Sequence, residues 1–393
     1  MKERTKSQVH AVRLVLAAIL ATMLACACAR PTIVPVPPQT PSLRDELRTM
    51  FLVGAAVNAA QFAGRDTAGA ALVARQFNSI SPENALKWQL VHPALGRYDF
   101  ALADQYVDFG KRHGMFVVGH TLVWHSQLPR WVHQDSAGNP VSRDTLLARM
   151  REHIHTVVGR YRGRIGGWDV VNEALEEDGT LRKTPWLAII GEDYLVKAYQ
   201  FAHEADPAAE LYYNDYSLES PAKRAGAVGL VRRLLAAGVP LRAVGLQAHQ
   251  RLEWPTAAAE DSTIAAFVAL GIHVNVTELD VDVLPAITRS TGADVSARAP
   301  LTAASNPFVG TLPDSIQRTL TARYAELFRV YMKHGAAIDR VTFWGVSDGD
   351  SWLNGWPVRG RTNHPLLFDR QHQPKPAFHA VVRAARIASA AAR

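Results

Sequence analysis

Residues 168–174 read Trp-Asp-Val-Val-Asn-Glu-Ala, and residues 274–280 read Val-Asn-Val-Thr-Glu-Leu-Asp. Each is a short, strand-like apolar run that delivers a carboxylate, Glu173 in the first and Glu278 in the second. Two carboxyls supplied by separate strand ends can divide the work of breaking a glycosidic bond. One stays ionised and attacks the sugar, and its negative charge raises the proton affinity of its partner, which can then protonate the leaving oxygen. Once the first is esterified its charge is gone, and the second becomes the base for an incoming water. A gap of about 5–5.5 Å between such carboxyls gives retention of configuration, and about 6.5–9.5 Å gives inversion. Taken alone, a carboxylate ending a strand reads more plainly as a helix cap or a surface charge.

Such a pair needs a frame. From Ser42 onward the chain alternates short apolar runs with amphipathic stretches. The runs are 51–57, 79–82, 116–123, 167–171, 211–214, 243–248, 273–277 and 340–346. Between them Leu195, Ala198, Tyr199 and Ala202 share one helical face, as do Ala227, Leu230, Val231 and Leu234, and Tyr324, Leu327, Phe328 and Tyr331. Gly114, Gly238, Gly271 and Gly335 follow helical stretches, where a left-handed cap is expected. Eight strand–helix alternations predict a single (β/α)8 TIM barrel, an α/β fold. A doubly wound sheet would show a glycine-rich phosphate turn after the first strand, and residues 58–64, Asn-Ala-Ala-Gln-Phe-Ala-Gly, do not form one. Residues 284–313 are rich in Ala, Ser, Thr and Pro and predict a long loop after the seventh strand.

Barrel strands present their chemistry at their C-terminal ends. Strand two leads into Glu83, Asn84 and Lys87; strand three into His120, Trp124, His125 and Gln127. Strand four ends in Asn172 and Glu173, strand five in Asn214, Asp215 and Tyr216, and strand six in Gln247 and His249. Strand seven carries Glu278 and Asp280, and strand eight runs through Trp344, with Trp352 in the loop behind it. Strands four and seven stand three apart in a ring of eight, so Glu173 and Glu278 can face each other across one mouth.

The runs His120-Thr-Leu-Val-Trp-His-Ser-Gln-Leu-Pro129, Trp168-Asp-Val-Val-Asn-Glu-Ala-Leu175, Leu211-Tyr-Tyr-Asn-Asp-Tyr216 and Val276-Thr-Glu-Leu-Asp280 resemble glycoside hydrolase family ten, the endo-β-1,4-xylanases. The similarity runs in order from about Phe51 to Phe378. It implies a (β/α)8 barrel that hydrolyses internal bonds of xylan and xylo-oligosaccharides by a retaining double displacement, with no cofactor and no metal. On matching positions Glu173 is the acid/base and Glu278 the nucleophile. Asn172 bonds the sugar 2-hydroxyl, and His249 with Asp280 holds the state of the nucleophile. Glu83, Asn84, Lys87, His120, Trp124 and Gln127 line the non-reducing side. Asn214, Tyr216 and Gln247 lie at or beyond the scissile bond, and Trp344 and Trp352 cover the sugar before the cut. The chain departs from the family pattern at Leu86, and at Ala248 and Gln250 around His249.

The rest of the sequence bounds the setting. The formal charge is +7, and residues 1–30 hold Lys2, Arg4, Lys6, Arg13 and Arg30 against Glu3 alone. The remainder carries no basic stripe, which argues against nucleic acid as a partner. The basic start, the apolar run from Leu14 to Ala25 and the small residues to Ala29 predict a signal peptide over 1–29. Both cysteines, Cys26 and Cys28, lie there, and Met23-Leu-Ala-Cys26 also resembles a lipoprotein signal that would lipidate Cys26. Residues 30–41 read as a proline-rich linker and 42–393 as the catalytic domain. Either leader reading exports the folded part, as a secreted, periplasmic or envelope-anchored monomer. Metal catalysis through His120 and His125 is disfavoured, because five residues along a strand send side chains to opposite faces. Trp131 and Trp186 are assigned to packing, and His153 and His155, two apart on a helix, to the solvated surface.

Overall fold

The computed structural model describes residues 40–287 and 295–391. The leader with Cys26, nearly all of the proline-rich segment and residues 288–294 of the long loop lie outside the described residues.

Eight parallel strands close into a ring. In chain order they are β1 (Leu52–Val57), β2 (Ser79–Pro82), β3 (Phe116–Val123), β4 (Gly167–Asn172), β5 (Glu210–Asp215) and β6 (Leu241–Leu246). A short extra strand follows, β7 (His249–Arg251), then β8 (His273–Asp282) and β9 (Ile338–Phe343). Neighbours pair in the order β1-β2-β3-β4-β5-β6-β8-β9, and β9 returns to β1. β7 continues the β6 side outward and pairs with the far end of β8, His249 opposite Asp280. Strands covered on both faces need near-continuous burial, which is why their sequences read as unbroken apolar runs. All six residues of β4 are buried.

Among the described residues eight helices of ten residues or more surround the ring: α1 (Thr67–Gln76), α2 (Ala101–Arg112), α3 (Arg143–Arg160), α4 (Tyr194–Ala205), α5 (Pro221–Ala236), α6 (Ala257–Val268), α7 (Asp314–Lys333) and α8 (Pro376–Ala391). Each expected apolar face of α4, α5 and α7 is buried against the barrel. Their starts are written locally. Ser142 accepts a hydrogen bond from Thr145 N at 3.2 Å before α3, and Thr256 accepts one from Ala259 N at 3.2 Å before α6. Caps of this kind stabilise a helix by about 1 kcal/mol.

Four features differ from the sequence reading. β8 extends five residues past Thr277, so Glu278 and Asp280 belong to the strand itself, held by its pairing with β7. β6 stops at Leu246, and Ala248 turns left-handed (φ 59°) to start β7. Gly114, Gly238 and Gly271 adopt positive φ as expected, whereas Gly335 does not. His153 is fully buried rather than solvated. It lies flat on Trp88, ring centroids 3.6 Å apart, with its Nδ1 3.3 Å from that of His92. The helix α3 turns one histidine inward and the other outward, where His155 pairs with Glu204.

The described part of the loop after β8 holds no helix or strand before α7. No helix among the described residues is long and apolar enough to cross a membrane.

Candidate active site

The strand ends converge on a cleft of about 280 Å³ lined by Lys87, His120, Trp124, Asn172, Glu173, Tyr216, Gln247, His249, Glu278, Asp280, Trp344 and Trp352. These are residues named from sequence, gathered from β2 through the loop after β9. Backbone strain is concentrated on the same rim. Among the described residues five non-glycines have left-handed φ, and four of them, Gln127, Glu173, Ser217 and Ala248, follow strand ends. Such conformations cost on the order of 1–3 kcal/mol each and persist where the surroundings over-determine them.

Glu278 is held by three neighbours. Asn214 Nδ2 donates to its Oε1 at 2.9 Å, His249 Nε2 lies 3.3 Å from its Oε2, and its own N–H donates to Gln247 O at 2.9 Å. The amide of Asn214 is oriented from behind: Thr277 Oγ1 donates to its oxygen at 2.6 Å, which turns the NH2 toward Glu278 Oε1 and Asn172 Oδ1. Gly245 leaves the space for it, since a Cβ there would overlap Asn214 Oδ1. Asn214 is fully buried. It lies at the base of the cleft, where its amide serves the carboxylate and Asn172.

Burial alone would raise the Glu278 carboxyl. The His249 hydrogen bond, the charges of His120 and His249 and the Asn214 amide overcome it and hold the group below its ordinary value. His249 is the reciprocal case. Burial would lower it, but Asp280, 3.1 Å from Nδ1, and Glu278 push it up to about 10. Asp280 is itself fixed by the indole N–H of Trp352 at 2.7 Å. Glu278, His249, Asp280 and Trp352 thus form one charge-assisted chain.

Glu173 stands just past β4. Trp124 Nε1 donates to its Oε2 at 2.8 Å and Gln247 Nε2 to its Oε1 at 3.0 Å. Its backbone N–H donates to Asn214 O at 2.8 Å. Gln247 and Asn214 therefore touch both glutamates, one through side chains and one through backbone, and tie the two acids together.

The remaining positions form the surrounding wall. Lys87 is buried over the Trp124 ring, its Nζ 5.1 Å from the centroid and 3.2 Å from Asn84 Oδ1. Burial lowers its pKa against the opposing pull of Glu278, Glu83 and Glu173. Gln127 reaches Asn84 at 3.4 Å. Glu83 lies in an adjoining recess with Asn58, Asp350, Trp344 and Trp352, so the first strand end contributes as well, through Asn58. Burial raises Glu83 in spite of Lys87. His120 Nδ1 is 2.9 Å from Asp169 Oδ2, and its ring meets Trp344 edge to face at 5.5 Å. Tyr216 takes a hydrogen bond from Arg182 on its hydroxyl at 2.9 Å.

Some cleft residues were not found from sequence. Behind the lining, Asp169 sits inside the apolar β4 and meets His120. Trp356 stacks on Trp352 at 4.7 Å, a pair signalled by Trp-x-x-x-Trp. Arg251, Trp254, Asp282 and Val295 extend the lining, and only β7, itself unforeseen, places Arg251 and Trp254 there. His125 lies beyond β3, so its separation from His120 follows from the turn and not from strand alternation. Trp186 is buried, its indole N–H on Trp124 O at 2.9 Å, the packing role expected of it. A trio that could hold a cation, Asp66, Asp350 and His372, lies outside this lining.

A parallel barrel with two carboxyls tied into one polar network, one of them kept ionised, is equipped for acid/base-assisted displacement at a sugar carbon. The chain belongs to glycosyl hydrolase family 10, whose family model matches residues 42–384. Among its relatives, endo-1,4-β-xylanase A of Xylanibacter ruminicola is 45% identical over 87% of this chain and 93% of its own length. An endo-1,4-β-xylanase of Geobacillus stearothermophilus is 41% identical over 87% of this chain and 98% of its own. The structure of a family-10 endoxylanase from a sugarcane-soil metagenome superposes with a TM-score of 0.84 at 43% identity, covering 87% of this chain and 99% of that one.

Proposed function

We propose that this chain is an endo-β-1,4-xylanase that cleaves internal xylosidic bonds of xylan and xylo-oligosaccharides by a retaining double displacement. The observation that carries the assignment of roles is the asymmetry of the pair. Glu278 is held below its ordinary pKa by His249, His120 and Asn214, as an attacking carboxylate requires. Glu173 has both oxygens engaged by neutral N–H donors, the indole of Trp124 and the amide of Gln247.

In the first step a Glu278 oxygen attacks the anomeric carbon. The C–O bond to the leaving sugar breaks, and the Glu173 proton goes to the departing oxygen. In the second step Glu173 takes a proton from water, the water oxygen attacks the anomeric carbon, and the Glu278 ester opens with its electron pair returned to the carboxylate. Asn172, whose oxygen accepts from Asn214, offers its amide to the sugar 2-hydroxyl. Trp344 and Trp352 supply flat apolar faces for the ring's C–H surface.

The test is Glu173→Ala. An aryl xyloside whose leaving group departs without protonation should still form the glycosyl ester, which then waits for a base. Azide needs no base, so adding it should restore turnover and yield the β-xylosyl azide. Activity on that substrate that azide leaves unchanged, with no azide adduct formed, would remove Glu173 from the acid/base role.

A further inference from the structure

Arg182 follows the turn that leaves the active-site strand end, and its side chain is only 11% exposed. Residues 174–182 fold back on themselves through a bridge between Leu175 and Leu181, and the Arg182 N–H donates to Ala174 O at 2.7 Å. The guanidinium then reaches under the loop it has just left. Nε donates to Glu173 O at 3.0 Å, Nη2 to Leu175 O at 2.5 Å, and Nη1 pairs with Glu176 at 3.0 Å. The same Nη2 donates to the Tyr216 hydroxyl at 2.9 Å.

One planar group thus grips two things at once. The first is the backbone of Glu173, a residue in a left-handed conformation (φ 56°) that needs external support. The second is Tyr216 in the wall of the cleft, whose ring is backed by the buried Lys223 ammonium, 3.3 Å from the centroid. Lys223 is in turn anchored by Asp215 at 3.0 Å. The rigid fork of arginine suits it to hold several acceptors in one plane, and a lysine cannot reproduce that geometry.

We propose that Arg182 is a positioning residue that locks the Glu173 carboxyl in register with the Tyr216 wall, so that a leaving sugar seated on Tyr216 meets the proton donor correctly placed. The proposal rests on the reading of Glu173 as the acid/base. Arg182 touches no reacting atom and acts only through Glu173 and Tyr216.

The experiment compares kcat/KM, which reports formation of the glycosyl ester, for phenyl and 2,4-dinitrophenyl β-xylobioside. The phenolate of the first departs only with help from a proton donor; the second departs without one. The proteins are the wild type, Arg182→Met, Arg182→Lys, Tyr216→Phe and Glu173→Ala. A misplaced proton donor should lower kcat/KM of Arg182→Met on the phenyl substrate roughly 100-fold while the dinitrophenyl value stays within about threefold. Arg182→Lys should fall between it and the wild type. Tyr216→Phe, which removes the acceptor without emptying the site, should show the same leaving-group dependence in weaker form. These two variants decide the matter if Arg182→Met does not fold. Equal losses on both substrates in both Arg182 variants and in Tyr216→Phe, or no loss on the phenyl substrate in any of the three, would make Arg182 a structural brace and overturn the proposal. Glu173→Ala separates the two levels. If it too fails to distinguish the leaving groups, the acid/base reading is what falls; if it distinguishes them and the Arg182 variants do not, the positioning role alone falls.

Discussion

At the scale of single residues, the site is a balance of burial against hydrogen bonding. Glu278 and Asp280 are buried carboxyls, and His249 is the cation between them. Removing that cation leaves Glu278 with the desolvation penalty and fewer compensating contacts, so its pKa must rise. His249→Asn should therefore shift the acidic limb of the kcat/KM profile of xylotetraose hydrolysis to higher pH, because a larger fraction of Glu278 is protonated at each pH. An acidic limb that stays in place would mean that Asn214 and His120 alone set the ionisation. Glu173 and Glu278 stand out in the sequence because each follows an apolar run inside a motif resembling the family, although Glu278 lies within β8 and not at its end. The burial of Asn214 does not stand out in this way. It depends on Gly245 and Thr277, which come from two other strands.

At the scale of elements, α3 meets the segment after β2 through stacked rings instead of aliphatic side chains. His153 from the helix lies between Trp88 and the neighbourhood of His92, and Tyr98 stacks on His92 at 3.8 Å. Burial drives both histidines to the neutral form, His153 well below its usual range and His92 to about 4. The folded state therefore binds fewer protons than the unfolded chain, whose histidines titrate near 6.5. Stability from this contact is complete above that pH and is lost as pH falls through the folded values. His153→Phe keeps an aromatic ring on Trp88 and removes one proton acceptor. Its thermal midpoint should move upward relative to the wild type as pH is lowered from 7 to 4.5; parallel midpoints across that range would contradict the assignment. Helical spacing puts His153 and His155 on different faces, yet both read as solvated in the sequence, and nothing local marks one of them as facing inward. The segment carrying Trp88 decides that, and it arrives from over sixty residues away in the chain.

At the scale of the whole molecule, the closed ring is what converts two distant motifs into one site. Strand and helix alternation made the eight-fold count readable, and all eight barrel strands fall on the expected runs. The short β7 was unreadable because a three-residue strand carries no periodicity of its own; it exists through its pairing with the extension of β8. That extension is also what presents Asp280 to His249, so part of the catalytic environment depends on a feature that only the closed fold reveals. A retaining double displacement in this barrel requires Glu278 to be the nucleophile. A 2-deoxy-2-fluoro-xylobioside with a 2,4-dinitrophenyl leaving group slows both steps, while its good leaving group lets the first outrun the second, so the ester accumulates. Mass spectrometry of the inactivated protein should show one glycosyl adduct per chain, and peptide mapping should place it on Glu278. An adduct on any other residue, or complete turnover of the reagent with no adduct at any time, would exclude Glu278 as the nucleophile.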